Sequence, residues 1–213
     1  GYKQSLNGLY ENGEIQKMLA NSSRELQKIK NCETCLLSVS KTARNTVMWA
    51  HYADEHKGTI IGIDFDSVMP NNTGIRMDRV NYTEERPSIN VLTDFEIPPE
   101  AFFRTILTKS SDWKYEQEFR TIFSVNILED FRTQGLASLK DFNNKKTWFL
   151  KLNPASIREI VFGLYTEKSL ILAIRKIIER AELQHVQLYQ AQESETYLLN
   201  LIGLDKTGET REK

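Results

Sequence analysis

Cysteine, histidine and net charge are all scarce in this chain, and each scarcity removes a class of function. The two cysteines, Cys32 and Cys35, form a lone Cys-x-x-Cys. A zinc site wants a second pair or nearby histidines, and a redox pair wants a thioredoxin-like strand context. Neither accompanies them, so both read as ordinary thiols at the start of a strand. Of the three histidines, His51 and His56 stand five positions apart and cannot chelate one ion as an i, i+4 pair does. No His-Glu-x-x-His is present, and no metal site is expected. A formal charge of −1 gives no global attraction to nucleic acid or to an anionic membrane. No stretch approaches the ~20 apolar residues that span a bilayer, and no signal-peptide pattern opens the chain. The expectation is a soluble, cytoplasmic protein without a membrane partner. Gly-x-Gly-x-x-Gly, Walker-type and Gly-x-Ser-x-Gly sequences are missing too, which argues against Rossmann, P-loop and hydrolase-elbow chemistry.

What is there suffices for a packed core: 213 residues, 40% of them hydrophobic and 10% aromatic. Helical spacing marks residues 11–30 and 168–183, and a helix starting at Pro98-Pro99 reaches about Thr108. Strands are expected over 34–40, 59–65, 79–83, 148–152, 159–162 and 186–190, with 198–204 at an edge. Residues 126–146 read as polar and irregular, with at most a short helix. The mix predicts a single α+β domain over 1–204, with a mixed, mostly antiparallel sheet flanked by helices. A charged tail follows over 205–213.

The most informative stretch is Trp113-Lys114-Tyr115-Glu116-Gln117-Glu118-Phe119-Arg120. Side chains alternate along an extended strand, so Glu116, Glu118 and Arg120 share one face while Tyr115, Phe119 and Phe123 face a core. Two carboxylates and a guanidinium are costly to bury unless they pair with each other or with a ligand. The plain alternative is a solvated face of an antiparallel sheet, with cross-strand ion pairs worth well under ~1 kcal/mol each. A second stretch, 45–57, reads as a helix with Asn45 or Thr46 as N-cap and Gly58 closing it. On that helix Trp49, Tyr52, Ala53 and His56 fall on one face, and His51 on another. The face reads either as core with a satisfied histidine or as one wall of a cleft.

Four strings occur in order: Met48 to Phe65 (MWAHYADEHKGTIIGIDF), Arg79 to Pro87 (RVNYTEERP), Lys109 to Arg120 (KSSDWKYEQEFR) and Ile157 to Gly163 (IREIVFG). Together they resemble the bacterial and phage family catalogued as domain of unknown function 2971, over roughly Ser38 to Gly163. Members of that family usually carry a further N-terminal strand and a loop before the strand at Cys35, a part this chain is expected to lack or shorten.

The order of elements also resembles, more distantly, the NAD-binding core of ADP-ribosyltransferases. That order is a strand with a serine-bearing turn (Ser38, Ser40), a helix carrying an aromatic, an apolar strand, and a late glutamate opening a strand. This second resemblance implies NAD as substrate, Glu118 as the carboxylate that stabilises the oxocarbenium-like ribose, and Glu116 as an acceptor-side acid oriented by Arg120. Tyr52, Trp49, His51, His56, Ser38 and Ser40 would line the cofactor pocket. It implies an ADP-ribosyltransferase-like effector in conflict between bacteria and phage, acting on an unknown acceptor. The alternative is a non-catalytic binding or sensor module that docks a protein or nucleic-acid partner through the Glu116/Glu118/Arg120 face. A third reading, phosphodiester chemistry, would need Asp64 and Asp66 to gather with Glu118 around a metal.

Overall fold

The computed structural model describes residues 34–65, 68, 75–88 and 99–205, together with Gly13 and Lys17. Apart from Gly13 and Lys17, the helix expected over 11–30 lies outside the described residues, as do Cys32, Asp66 and the tail beyond Asp205. The elements, in chain order, are β1 (Thr34–Ser40), α1 (Thr46–Tyr52), β2 (Thr59–Ile63), β3 (Arg76–Arg79), β4 (Asn81–Thr83), α2 (Pro99–Ile106), β5 (Thr108–Ser110), β6 (Glu118–Ser124), α3 (Val125–Thr133), β7 (Ala137–Phe142), β8 (Lys145–Leu150), β9 (Ile157–Phe162), α4 (Lys168–Ile178), β10 (Gln187–Gln192) and β11 (Asn200–Leu204). The architecture is α+β, as composition and spacing predict.

The strands do not form one sheet. A three-stranded antiparallel sheet runs β1-β6-β3, and a four-stranded mixed sheet runs β11-β10-β9-β2. Two smaller ladders join β4 to β5 and β7 to β8. The parallel β9–β10 pair is bridged by α4, a β-α-β crossover that puts this helix against the sheet. Alternation along β9 separates its two faces. Ile160 and Phe162 pack with Leu188 and with Ile171, Ile174 and Ile178 of α4, whereas Val161 packs with Trp49 and Ala53 at the α1 end. A third cluster, Phe123, Leu128, Phe131 and Ala137, ties α3 and β7 to the three-stranded sheet.

Two local expectations are corrected. The helix at 45–57 is short. Asn45 caps it by accepting from the Val47 and Met48 N–H groups at 2.9 and 3.2 Å, but it ends at Tyr52 with Ala53 as C-cap. Asp54, Glu55 and His56 then take φ of 46°, 51° and 69°, three successive non-glycine residues in the left-handed region. Surrounding bonds hold this strained turn: Gly58 N–H donates to Ala53 O at 2.8 Å, and Tyr165 N–H to His56 O at 3.0 Å. The reading of 126–146 holds for the short helix but not for the irregular remainder. Ser124 caps α3, and Asn143 and Asn144, at φ 50° and 60°, make the two-residue hairpin turn between β7 and β8. Both central residues at positive φ give the type I′ twist that matches paired strands.

Candidate functional site

The Glu116–Arg120 stretch is only half a strand. Ser111–Glu116 forms a 3-10 turn whose first turn is capped by the Ser110 hydroxyl, Gln117 sits at φ 47°, and β6 begins at Glu118. Glu116 therefore reaches its neighbours through a reversal of the chain, not by strand alternation. Tyr115 correspondingly joins a surface group of rings with His51 and Trp113 in place of the core. Phe123 is core, as expected, while Phe119 borders a cleft.

Despite that correction the two acids are close and buried, at 3% exposure for Glu116 and 6% for Glu118. Arg120 grips Glu118 with both arms of its fork, Nε to Oε1 at 2.8 Å and Nη2 to Oε2 at 3.0 Å. The remaining guanidinium nitrogen donates to Ile106 O at the end of α2. Lys109 on β5 donates to Glu116 Oε2 and, at 3.2 Å, to Glu118 Oε2, with its ammonium 4.9 Å from the Trp113 ring centroid. Two carboxylates thus meet two cations, so the cluster is neutral and each charge has a partner. The backbone is fixed as well: Glu118 N–H donates to the Tyr82 hydroxyl at 2.8 Å, and the Ser40 hydroxyl to Glu116 O at 2.7 Å.

Electrostatics follow from these contacts. Burial pushes the Glu118 carboxyl up, but the Arg120 fork, a hydrogen bond from Ser38 and the charge of Lys109 outweigh it and hold the pKa at about 2. Burial works against the Lys109 charge, and hydrogen bonds to Glu116 and Glu118 more than offset it, leaving its pKa above the ordinary lysine value. The Tyr52 hydroxyl donates to Glu116 Oε1 at 2.7 Å, and this bond raises the phenol's pKa.

A cleft of about 630 Å³ lies beside this cluster. Ser38, Ser40 and Phe119 wall it from one sheet, Met48, Tyr52 and Ala53 from α1 and its cap, and Ile60 to Phe65 with Arg158 and Glu159 from the other sheet. Tyr52 belongs to both features: its ring lines the cleft and its hydroxyl holds Glu116. The carboxylates themselves stand behind that lining.

The sequence-expected residues divide accordingly. Ser38, Ser40, Tyr52, Glu116, Glu118 and Arg120 come together. Trp49 does not join them: it is fully buried, and its indole N–H donates to Ala43 O at 2.6 Å. His56 stacks on Trp49 with 6.1 Å between ring centroids, away from the cleft lining. His51 is exposed, between Tyr52 and Trp113. Asp64 stands across the cleft, paired with Arg158. Among the described residues no three His, Cys, Asp or Glu side chains gather as metal ligands would. Cys35 is a partly buried thiol with its pKa raised by burial. Lys109 was not foreseen; the available signal was that Glu116, Glu118 and Arg120 alone leave one negative charge uncompensated.

No curated protein and no solved structure matches the chain. A family model described as a protein of unknown function (DUF2971) matches residues 48–121, a span that contains Tyr52, Lys109, Glu116, Glu118 and Arg120. The match supports, over this segment, the resemblance to that family carried by the sequence strings, and the segment holds most of the candidate site.

Proposed function

We propose that the chain is an ADP-ribosyltransferase-like enzyme that uses NAD as substrate, with the cleft between the two sheets as its dinucleotide site. The observation that carries this reading is Tyr52, whose ring lines a cleft of ligand-binding size while its hydroxyl holds a buried acid. Ser38 does the same for Glu118 from the β1 wall. In the reaction the bond between nicotinamide and ribose C1′ breaks, nicotinamide leaves as a neutral base, and the acceptor nucleophile adds to C1′ and gives up its proton to solvent water. Positive charge develops on the ribose meanwhile. A carboxylate held at a pKa of about 2 is ionised at every working pH. It is a poor proton acceptor but a fixed anion, which is what a developing cation requires. Glu118 supplies that charge, and Ser38, which hydrogen-bonds it, stands on the cleft wall. A phenol ring on the wall gives nicotinamide a stacking partner. The bacterial and phage context of the resemblance suggests an effector in their conflict.

A second reading rests on a separate observation. Both carboxylates are already paired with Lys109 and Arg120, as a purely structural ion cluster would be. The cleft would then serve a non-catalytic ligand-binding or sensor module. Docking through an exposed Glu116/Glu118/Arg120 face is not favoured, because that face is buried.

Incubation with NAD and a mixture of acceptors, followed by measurement of nicotinamide, tests the first reading. Release that Glu118→Gln and Tyr52→Phe each reduce, with the fold retained by circular dichroism, supports it. Calorimetric NAD binding without release supports the second reading, and neither binding nor release defeats the first.

A further inference from the structure

We infer that the open edge of β1, from Thr34 to Ser38, is a docking site for an extended, uncharged polypeptide segment that adds a strand to the three-stranded sheet. β1 is the end strand of its sheet, paired only with β6 among the described residues. The ladder fixes which backbone groups face outward. Lys41 N–H donates to Gln117 O, and Val80 N–H takes Glu118 O on the opposite side of β6. With Ser40 opposite Glu118 in the register, the odd-numbered residues of β1 bond to β6. The N–H and C=O groups of Thr34, Leu36, Ser38 and Ser40 therefore point away from it. None of these groups has a backbone partner among the described residues.

Sheet edges in natural proteins are normally blunted by charge, proline, a bulge or shortness. β1 has none of these devices: its sequence TCLLSVS contains no charge and no proline, and its seven-residue register with β6 is unbroken. β2, the other edge bordering the cleft, is shorter and has a register shift at Gly62/Ile63. The side chains at β1 match its backbone. Leu36 is 45% exposed, giving an apolar position for a side chain of an added strand. The cleft lining begins only at Ser38, so a strand laid along Thr34 to Ser38 would end at the cleft mouth without filling it. Joined to the proposed reaction, this makes the acceptor a polypeptide. The docking itself does not depend on that reaction and is measured without NAD.

The probe is a fluorescein-labelled, acetylated and amidated peptide, Ser-Thr-Val-Thr-Val-Thr-Ser, titrated with the full chain and read by fluorescence anisotropy. A saturable rise is expected. Methylating alternate peptide nitrogens in one phase should weaken binding roughly tenfold or more, because two ladder hydrogen bonds are lost, whereas methylation in the other phase should change it little. Leu36→Pro removes only an outward N–H, so β6 pairing and the melting temperature should survive while probe binding is lost. No anisotropy change overturns the inference, as do equal affinities for both methylated series or full binding by Leu36→Pro. A dimer in sedimentation that Leu36→Pro dissolves, without probe binding, assigns the edge to a second copy and also overturns it. If Leu36→Pro fails to fold, the two methylated series still decide the matter.

Discussion

Replacing Glu118 with glutamine should change how stability depends on pH, and the size of the change follows from the structure. The carboxyl drops from an ordinary 4.5 to about 2 on folding. A depressed carboxylate contributes stability that is fully present above the unfolded value and is lost as pH falls through the folded one. Between pH 4.5 and about 2 the unfolded chain holds one more proton at this position than the folded chain does. The slope is then about 1.4 kcal/mol per pH unit, for a total of about 3 kcal/mol. Glu118 is only 6% exposed, so solvent screening removes little of this.

At neutral pH, Glu118→Gln leaves the Arg120 fork and half of the Lys109 coordination without their anion, a loss of about 3–5 kcal/mol for a broken buried pair. As pH falls below 4.5, the unfolded wild-type chain takes up a proton at this carboxyl that the folded chain, with its pKa at about 2, does not, so wild-type stability falls towards that of the amide variant. At pH 3 the gap should have narrowed by roughly 2 kcal/mol. Urea denaturation at pH steps from 7 to 3 measures this directly. At roughly 1–3 kcal/mol per molar urea, the gap between the two midpoints should shrink by roughly 0.7–2 M. Parallel curves over the whole range would mean that Glu118 is not held as an ionised carboxylate, and the electrostatic argument for the site would fail with it.

Three further outcomes are expected. In an alkaline titration of phenolate absorbance, one of the eight tyrosines should ionise later than the ordinary value of 10.0, and Tyr52→Phe should remove that late phase. Lys109 contributes stability that is present below pH 10.5 and is lost as pH rises through its raised folded value. In a Tyr52→Phe background, Lys109→Met should therefore reduce the decline in urea midpoint above pH 10.5; an unchanged decline counts against the pairing. In Gly163→Ala the new methyl would land on the His56 carbonyl oxygen and crowd the Trp49 ring. A loss of roughly 1–3 kcal/mol in the urea midpoint analysis is expected, and wild-type stability would contradict the tight packing of the 54–56 turn against β9.

The parts of the fold that depend on short-range pattern could be read from the sequence. The run TCLLSVS became β1 with its predicted limits, and the apolar spacing from Leu170 to Ile178 became α4 on the buried face of a sheet. The misreadings occurred where the backbone turns left-handed without glycine. Helical spacing continued from Trp49 to His56, but the chain left the helix at Ala53, and stacking of His56 on Trp49 replaced the expected i, i+7 contact. Gln117 hid in the same way inside an apparent strand. Asn143-Asn144 was the one such turn with a visible warning, since asparagine tolerates this conformation and a two-residue hairpin demands it.

Proximity of the two acids was legible because it is local; what they pair with was not, because that is set by topology. Lys109 is brought to Glu116 and Glu118 by the parallel pairing of β4 with β5 and by the 3-10 turn that folds back from β5. Tyr52 arrives from α1, more than sixty positions upstream of Glu116. Charge balance alone does call for one more cation: a buried pair of carboxylates with a single arginine is one charge short, and an uncompensated buried anion costs several kcal/mol. Lys109 and Lys114 satisfy that demand equally well in sequence. The choice falls to Lys109 because the 3-10 turn carries Lys114 to the exposed side while β5 aims Lys109 inward over Trp113. A neutral four-charge cluster with one phenol facing a cleft is therefore a product of three-dimensional assembly acting on a two-acid motif.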